Sequence, residues 1–173
     1  MDGETTTGTP AGLFRRLAAL CYDALVAVAL GFVATFAMLP LTRGEAILAA
    51  TQGLVAHAYH ALLVLLVFAY FGWSWTRSGQ TLGMRAWRIR LETAAGRTLN
   101  WAETLVRFLL GAAIAWLATL GAWYLARPGS PVAHAGAAAL LAPLAVNFAW
   151  IVFDRERRSL LDVAGRARVQ RLA

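Results

Sequence analysis

Arg16-Leu17-Ala18-Ala19-Leu20-Cys21-Tyr22-Asp23 opens an apolar run that continues to Leu39. On a helix, residues seven apart lie about 20° from eclipsed and roughly 10 Å apart along the axis, so Arg16 and Asp23 occupy one face. The arginine stands at the mouth of the run and the aspartate inside it. A carboxylate among Leu, Ala, Val and Phe costs on the order of 3 kcal/mol to insert into hydrocarbon unless a partner or water meets it. Leu17 to Leu39 exceeds the roughly 20 residues that cross a 30 Å hydrocarbon core. Pro40 and Arg43 close the run. The stretch predicts a membrane-spanning helix with a buried acid, about six residues and roughly 9 Å inside the boundary, too deep for so short a side chain to snorkel.

Composition agrees with a bilayer protein. The chain has 173 residues, 60% of them hydrophobic, and a mean hydropathy of +0.59, outside the range of soluble globular domains. Its 16 basic residues are all arginine and stand against 9 acidic ones, a net charge of +7. These arginines flank apolar runs and form no solvated helix face of their own, so membrane topology explains them better than nucleic-acid binding. Cys21 is the single cysteine; it can form no internal disulfide and reads as a small hydrophobe. Residues 1–12 lack the basic region and short apolar core of a cleaved signal peptide and read as a disordered cytosolic tail, with a membrane domain over 13–173.

Three further apolar runs follow, giving helices at about 17–39, 54–75, 105–126 and 132–153. The second carries His57 and His60 near its start and ends in Tyr70, Phe71, Trp73 and Trp75, an aromatic cluster suited to an interface. The third ends in Trp123 and Tyr124. The fourth is rich in Ala and Gly, which allows close helix approach and suggests a place inside a bundle, and Pro143 frees the carbonyl of Ala139. Thr42 to Gly53 and the turn Arg127-Pro128-Gly129-Ser130-Pro131 are short connections. Residues 76–104 form a longer polar loop. Within it Trp87, Ile89 and Leu91 alternate with Arg88, Arg90 and Glu92, a period of two that favours a short strand over an interfacial amphipathic helix. Ala167 to Leu172 reads as another short strand. The fold class is all-α, a four-helix transmembrane bundle with short cytosolic strands. Arginines concentrate on the N-terminal flank, the loop and the C-terminal tail, whereas the two short connections hold only Arg43 and Arg127, so both termini are expected in the cytosol.

That orientation brings Arg16, Asp23, Glu103, Arg107, Asn147, Asp154 and Asp162 to the cytosolic half of the bilayer. Arg107, near the start of the third helix, is expected to reach Asp23 across the bundle. Two readings of this cluster are open: an ion-pair network that fixes helix register, or a pathway for protons or ions. Asn147, one turn after Pro143, is expected to satisfy a freed backbone group. His57, His60 and His134 gather at the opposite face and read as interfacial histidines bonded to backbone or water, without a metal. No nucleophile, base and orienting group form a catalytic set, so no enzyme and no cofactor is expected.

Arg16-Leu17-Ala18-Ala19 followed by Asp23, Gly79-Gln80-Thr81-Leu82-Gly83 ahead of Trp87 to Leu91, Arg107 opening the third span, and Arg158-Ser159-Leu160-Leu161-Asp162 ahead of Gly165 to Val169 together resemble the RDD family of bacterial membrane proteins. The resemblance covers most of the chain from Leu13 onward. It implies that Arg16, Asp23 and Asp162 are the eponymous arginine and two aspartates, with Asp154 the rival for the last place. It further implies a protein of the bacterial plasma membrane. Cation/proton exchange, attributed to some members, gives the leading reading: a small transporter in which Asp23 alternates between a proton and Arg16, Arg107 or a monovalent cation. Four helices leave little room for a pathway, so this reading predicts a homo-oligomer joined along small-residue faces such as Ala27 and Gly31 or Gly111 and Ala115. The other reading is a non-transporting accessory protein whose arginine-rich cytosolic face binds anionic lipid or a partner.

Overall fold

A computed structural model describes residues 9–40 and 53–172. The chain runs α1 (Leu13–Met38), α2 (Leu54–Arg77), α3 (Leu82–Ala86), β1 (Ile89–Thr93), α4 (Trp101–Leu125), α5 (Pro131–Phe153), α6 (Leu160–Ala164) and β2 (Ala167–Arg171). The connection holding Arg43 and Glu45, and the tail before Thr9, lie outside the described residues.

The four long helices are each long and apolar enough to cross a membrane. Only 11% to 17% of their most apolar windows is buried within the chain, which leaves most of the apolar surface to be covered from outside it. Two helices start earlier than their apolar runs suggest. α4 begins at Trp101, where Asn100 and Glu103 form a reciprocal capping box; α1 begins at Leu13. Arg16 therefore belongs to a helical turn and is not a flanking residue, and Arg107, expected near the start of its helix, lies in the second turn. α5 continues through Pro143. It touches α4 closely where Gly121 faces Ala137, since a Cβ on Gly121 would stand 2.7 Å from the Ala137 carbonyl oxygen. Most of α5 is nonetheless exposed, with Ala137, Asn147 and Ile151 its buried residues, so the small-residue composition marks one close contact and not a central position. Gly31 and Gly111, expected on oligomer faces, meet nothing within 4 Å and Leu161 at 3.7 Å, respectively.

The best-packed apolar cluster lies at one end of the bundle: Ala11, Ala19, Trp75, Ile89, Leu91, Leu99, Ala167 and Val169, with Phe71, Met84, Trp87 and Phe108 against it. Its centre is the antiparallel pair β1–β2, with register Ile89↔Arg171, Leu91↔Val169 and Thr93↔Ala167. The alternation is the expected one, with Ile89, Leu91 and Thr93 buried and Arg90 and Glu92 less so, although the strand starts at Ile89 because Arg88, at φ 51°, turns the chain. Arg168 pairs with Glu92 across the sheet at 3.2 Å. Part of the expected disordered tail is also ordered here: Ala11 N donates to Val169 O at 3.0 Å and Arg171 N to Thr9 O at 2.8 Å, which lines residues 9–11 along the far side of β2. Pro10, with no N–H to give, suits that outer edge.

The two halves of the chain repeat each other. Thr81–Thr93 and Ser159–Arg171 align without a gap, matching Leu82 with Leu160, Ala86 with Ala164, Arg88 with Arg166 and Arg90 with Arg168. Both segments fold as a five-residue helix, a two-residue turn and a five-residue strand. The backbone follows suit: Arg88 and Arg166 take φ of 51° and 48°, and Gly79 and Arg157 take 69° and 51°. Leu91 and Val169 are equivalent and face each other, so a pseudo-two-fold axis passes between them. Exchanging α1 with α4 and α2 with α5 maps α1–α2 packing onto α4–α5 and α2–α4 onto α5–α1, and all four pairs are in contact. Two helical hairpins in the same sense, related by an axis along the helices, leave residues 9–11 and β2 together at one end of the bundle.

Candidate functional site

Two buried carboxylates sit at this end, each at the start of one of the five-residue helices. In the second half, Ser159 caps α6: its Oγ accepts from Asp162 N at 3.1 Å while Asp162 Oδ2 accepts from Ser159 N at 3.0 Å. Asp162 is fully buried and takes two guanidiniums. Arg16 Nη1 donates to Oδ2 and Arg107 Nη2 to Oδ1 at 2.7 Å. Arg16 also donates through Nε to Ala11 O at 3.1 Å and through Nη2 to Arg157 O at 2.8 Å, while Arg107 lies over the Trp75 ring at 5.5 Å. Burial alone would raise the Asp162 carboxyl, but the Arg107 and Arg16 charges override it and hold the group at about 2. The centre carries two positive charges against one negative. Arg107 Nε is buried there, and Thr104 Oγ1 is buried on the same helix, each without a hydrogen-bond partner among the described residues.

Asn147 belongs to this centre in a different way from the one its position suggests. Its Oδ1 accepts from Leu161 N at 3.0 Å, capping α6, and the backbone near Pro143 is not its partner. Asp154 stands apart. It forms an i,i+4 pair with Arg158 at 3.1 Å, and the Arg158 hydrogen bond lowers its carboxyl below the ordinary range. The deeply buried second aspartate is thus Asp162.

In the first half, Asp23 is 3% exposed and meets neither Arg16 nor Arg107, contrary to the expected pairing. Tyr70 Oη donates to its Oδ1 at 2.7 Å, Gly83 N to Oδ1 at 3.0 Å and Thr81 Oγ1 to Oδ2 at 2.6 Å. All three donors are neutral. Tyr70 Oη accepts from Leu82 N at 3.0 Å and Thr81 Oγ1 from Met84 N at 3.1 Å, so the first amides of α3 are satisfied in turn by Tyr70, Asp23 and Thr81. This explains the glycines of the loop motif. A Cβ on Gly83 would stand 2.2 Å from Ala19 O, so α3 rests directly on α1 because that carbon is absent, and one on Gly79 would stand 2.5 Å from Leu91 O in β1.

Tyr70, Thr81, Gly83 and Ser159 complete the two centres, although the sequence pointed to none of them as a partner of the buried carboxylates. Thr81 and Ser159 were findable as N-caps ahead of short apolar stretches, and the repeat of Thr-Leu and Ser-Leu ahead of Arg-x-Arg was findable as well. At the opposite end each histidine ring donates to a backbone carbonyl: His57 to Gly53, His60 to Ala56 and His134 to Arg127.

The model of the RDD family matches residues 10–166. No curated protein and no solved structure matches the chain.

Proposed function

The chain belongs to the RDD family, and we propose that it is a small-ion or proton exchanger in which Asp23 takes up and releases the transported charge. Four spans of sufficient length and hydropathy make it an integral membrane protein. The observation that carries the reading is the contrast between Asp23 and Asn147. Each accepts from the second amide of a five-residue helix, at 3.0 Å in both halves, so a neutral amide is sufficient for that bond. A carboxylate within a span costs on the order of 3 kcal/mol. Its retention in the first half calls for a use of its charge beyond capping, and its hydrogen-bond donors among the described residues are all neutral. A groove of about 730 Å³ whose lining includes Leu30, Leu66, Tyr70, Trp73, Leu82 and Arg85 brings the surface to within one side chain of that carboxylate.

Asp162 serves differently on this reading. With two guanidiniums and a capping box it stays an anion and clamps α1, α4 and α6 together. The arginine distribution orients both termini to the cytosol, and the bacterial plasma membrane is the site of action. Exposed apolar faces on all four spans suit a second copy of the chain as neighbour, and the reading requires no resident cofactor.

Reconstitution into vesicles with a pH-reporting dye inside tests this. Imposed sodium or potassium gradients drive proton movement in the wild-type chain and none in Asp23→Asn. Absence of flux in the wild type, or flux unchanged by Asp23→Asn, overturns the exchanger and leaves the accessory reading, an arginine-rich face for anionic lipid or a partner.

A further inference from the structure

Arg15, Arg157 and Arg171 line an open cavity of about 450 Å³ together with Gly12 and Phe14, at the point where the α1 span begins. Among the described residues the three guanidiniums have no carboxylate to face, and Arg15 Nη1 donates to the Trp87 carbonyl oxygen at 3.0 Å. Every described acidic residue is committed elsewhere: Asp23 to Tyr70, Thr81 and Gly83, Glu92 to Arg168, Glu103 to Arg97, Asp154 and Glu156 to Arg158, and Asp162 to Arg16 and Arg107. Arg157 reaches in until its Nη1 would stand 3.8 Å from a Cβ on Gly12, the residue that precedes α1. No acidic residue occupies the first turn of α1 and no side chain caps it, so the helix adds partial positive charge to that of the arginines.

Arg157 holds its place at a conformational cost. It has φ of 51°, and the equivalent residue in the first half is Gly79, at φ 69°. A glycine is the unstrained choice at this point of the repeat, and the second half carries an arginine there. The cavity also has an apolar wall on its bilayer side: Phe14 is 73% exposed and packs edge-on against Trp87 at 5.5 Å.

We propose that this cavity binds a phosphate group, and that its source is the headgroup of an anionic membrane lipid, with Arg15, Arg157 and Arg171 around the phosphate and Phe14 beside the acyl chains. Guanidiniums are suited to phosphate oxygens through paired donors. A position level with the end of a span is where such headgroups stand, and basic side chains there gain from the negative surface potential. The inference is independent of any role for Asp23.

The test measures binding of short-chain phosphatidylglycerol, short-chain phosphatidylcholine and inorganic phosphate to the full chain in neutral detergent, by titration and by thermal shift. Saturable binding of phosphatidylglycerol and none of phosphatidylcholine is expected. Arg157→Gly and Arg171→Gln each weaken it about fivefold, the loss of one cation at the membrane surface, while Arg155→Gln, outside the cavity, leaves it unchanged. Arg157→Gly relieves the strained backbone, so its unfolding temperature holds or rises while affinity falls, which separates binding from folding. Inorganic phosphate binding as tightly as phosphatidylglycerol keeps the site and overturns the lipid source. Equal binding of both lipids, or affinity unmoved by Arg157→Gly and Arg171→Gln, overturns the proposal.

Discussion

Asp23 and Asn147 accept hydrogen bonds from equivalent amides, Gly83 N and Leu161 N, both at 3.0 Å. They come from different helices of the repeat, α1 and α5, yet meet the same position of α3 and α6. One half of the molecule thus performs with a neutral amide what the other performs with an acid.

The Asn147 position should accept an acid more readily than an apolar group. Asn147→Asp preserves the acceptor for Leu161 N and adds negative charge beside a centre with two guanidiniums and one carboxylate, so its unfolding temperature in detergent stays at or above that of the wild type. Asn147→Leu leaves a buried amide unpaired and lowers stability by about 1–3 kcal/mol.

Acid should loosen the second centre at a defined point. The Asp162 carboxyl lies at about 2 against an ordinary 3.8, a depressed value, so its contribution is fully present above pH 4 and is lost as pH falls through about 2. The linkage is worth about 2 kcal/mol. Unfolding midpoints across this range should show the loss in the wild type and not in Asp162→Asn. At neutral pH that variant loses about 3–5 kcal/mol, because it leaves two buried guanidiniums without a counter-charge.

Arg16→Lys should fail to replace the arginine. Arg16 uses three nitrogens on three partners, Ala11 O ahead of α1, Asp162 in α6 and Arg157 O in the α5–α6 connection, and a single ammonium has neither the fork nor the reach. A loss of about 1–3 kcal/mol is expected in chemical unfolding.

Gly83 and Gly31 make a paired test of α1 packing. Gly83→Ala drives a methyl into the Ala19 carbonyl oxygen, 2.2 Å away, and lifts α3 from α1, whereas nothing lies within 4 Å of a Cβ on Gly31. The first should cost about 1–3 kcal/mol and, by displacing Gly83 N, disturb Asp23. Gly31→Ala should leave unfolding unchanged or slightly improved.

Much of the architecture was legible in local order. Each apolar run long enough to span is a helix, and the alternation of Ile89 and Leu91 with Arg90 and Glu92 is a strand, because burial of a repeating face is decided residue by residue. The start of α4 was legible too, in Asn100 and Glu103, a capping pair hidden by reading the helix only from its apolar stretch. The internal repeat is equally a matter of sequence: Thr81–Thr93 and Ser159–Arg171 share four residues at matching places, but the short turns and strands between long apolar runs draw little attention.

Pairing was another matter. A charge seven residues from another on α1 invites the thought that Arg16, Asp23 and Arg107 form one group, and they do not. Arg16 joins Asp162 across 146 residues, and Asp23 meets Tyr70, Thr81 and Gly83. The free energy of placing a side chain in oil or water depends on that side chain and its near neighbours, so the order of residues was enough to specify spans, strands and a costly buried acid. Which cation neutralises which acid depends on angles and distances between helices far apart in the chain, here set by the fit of α3 onto Ala19 and of α6 beneath Arg107, and these exist once the halves have packed about the Leu91–Val169 axis.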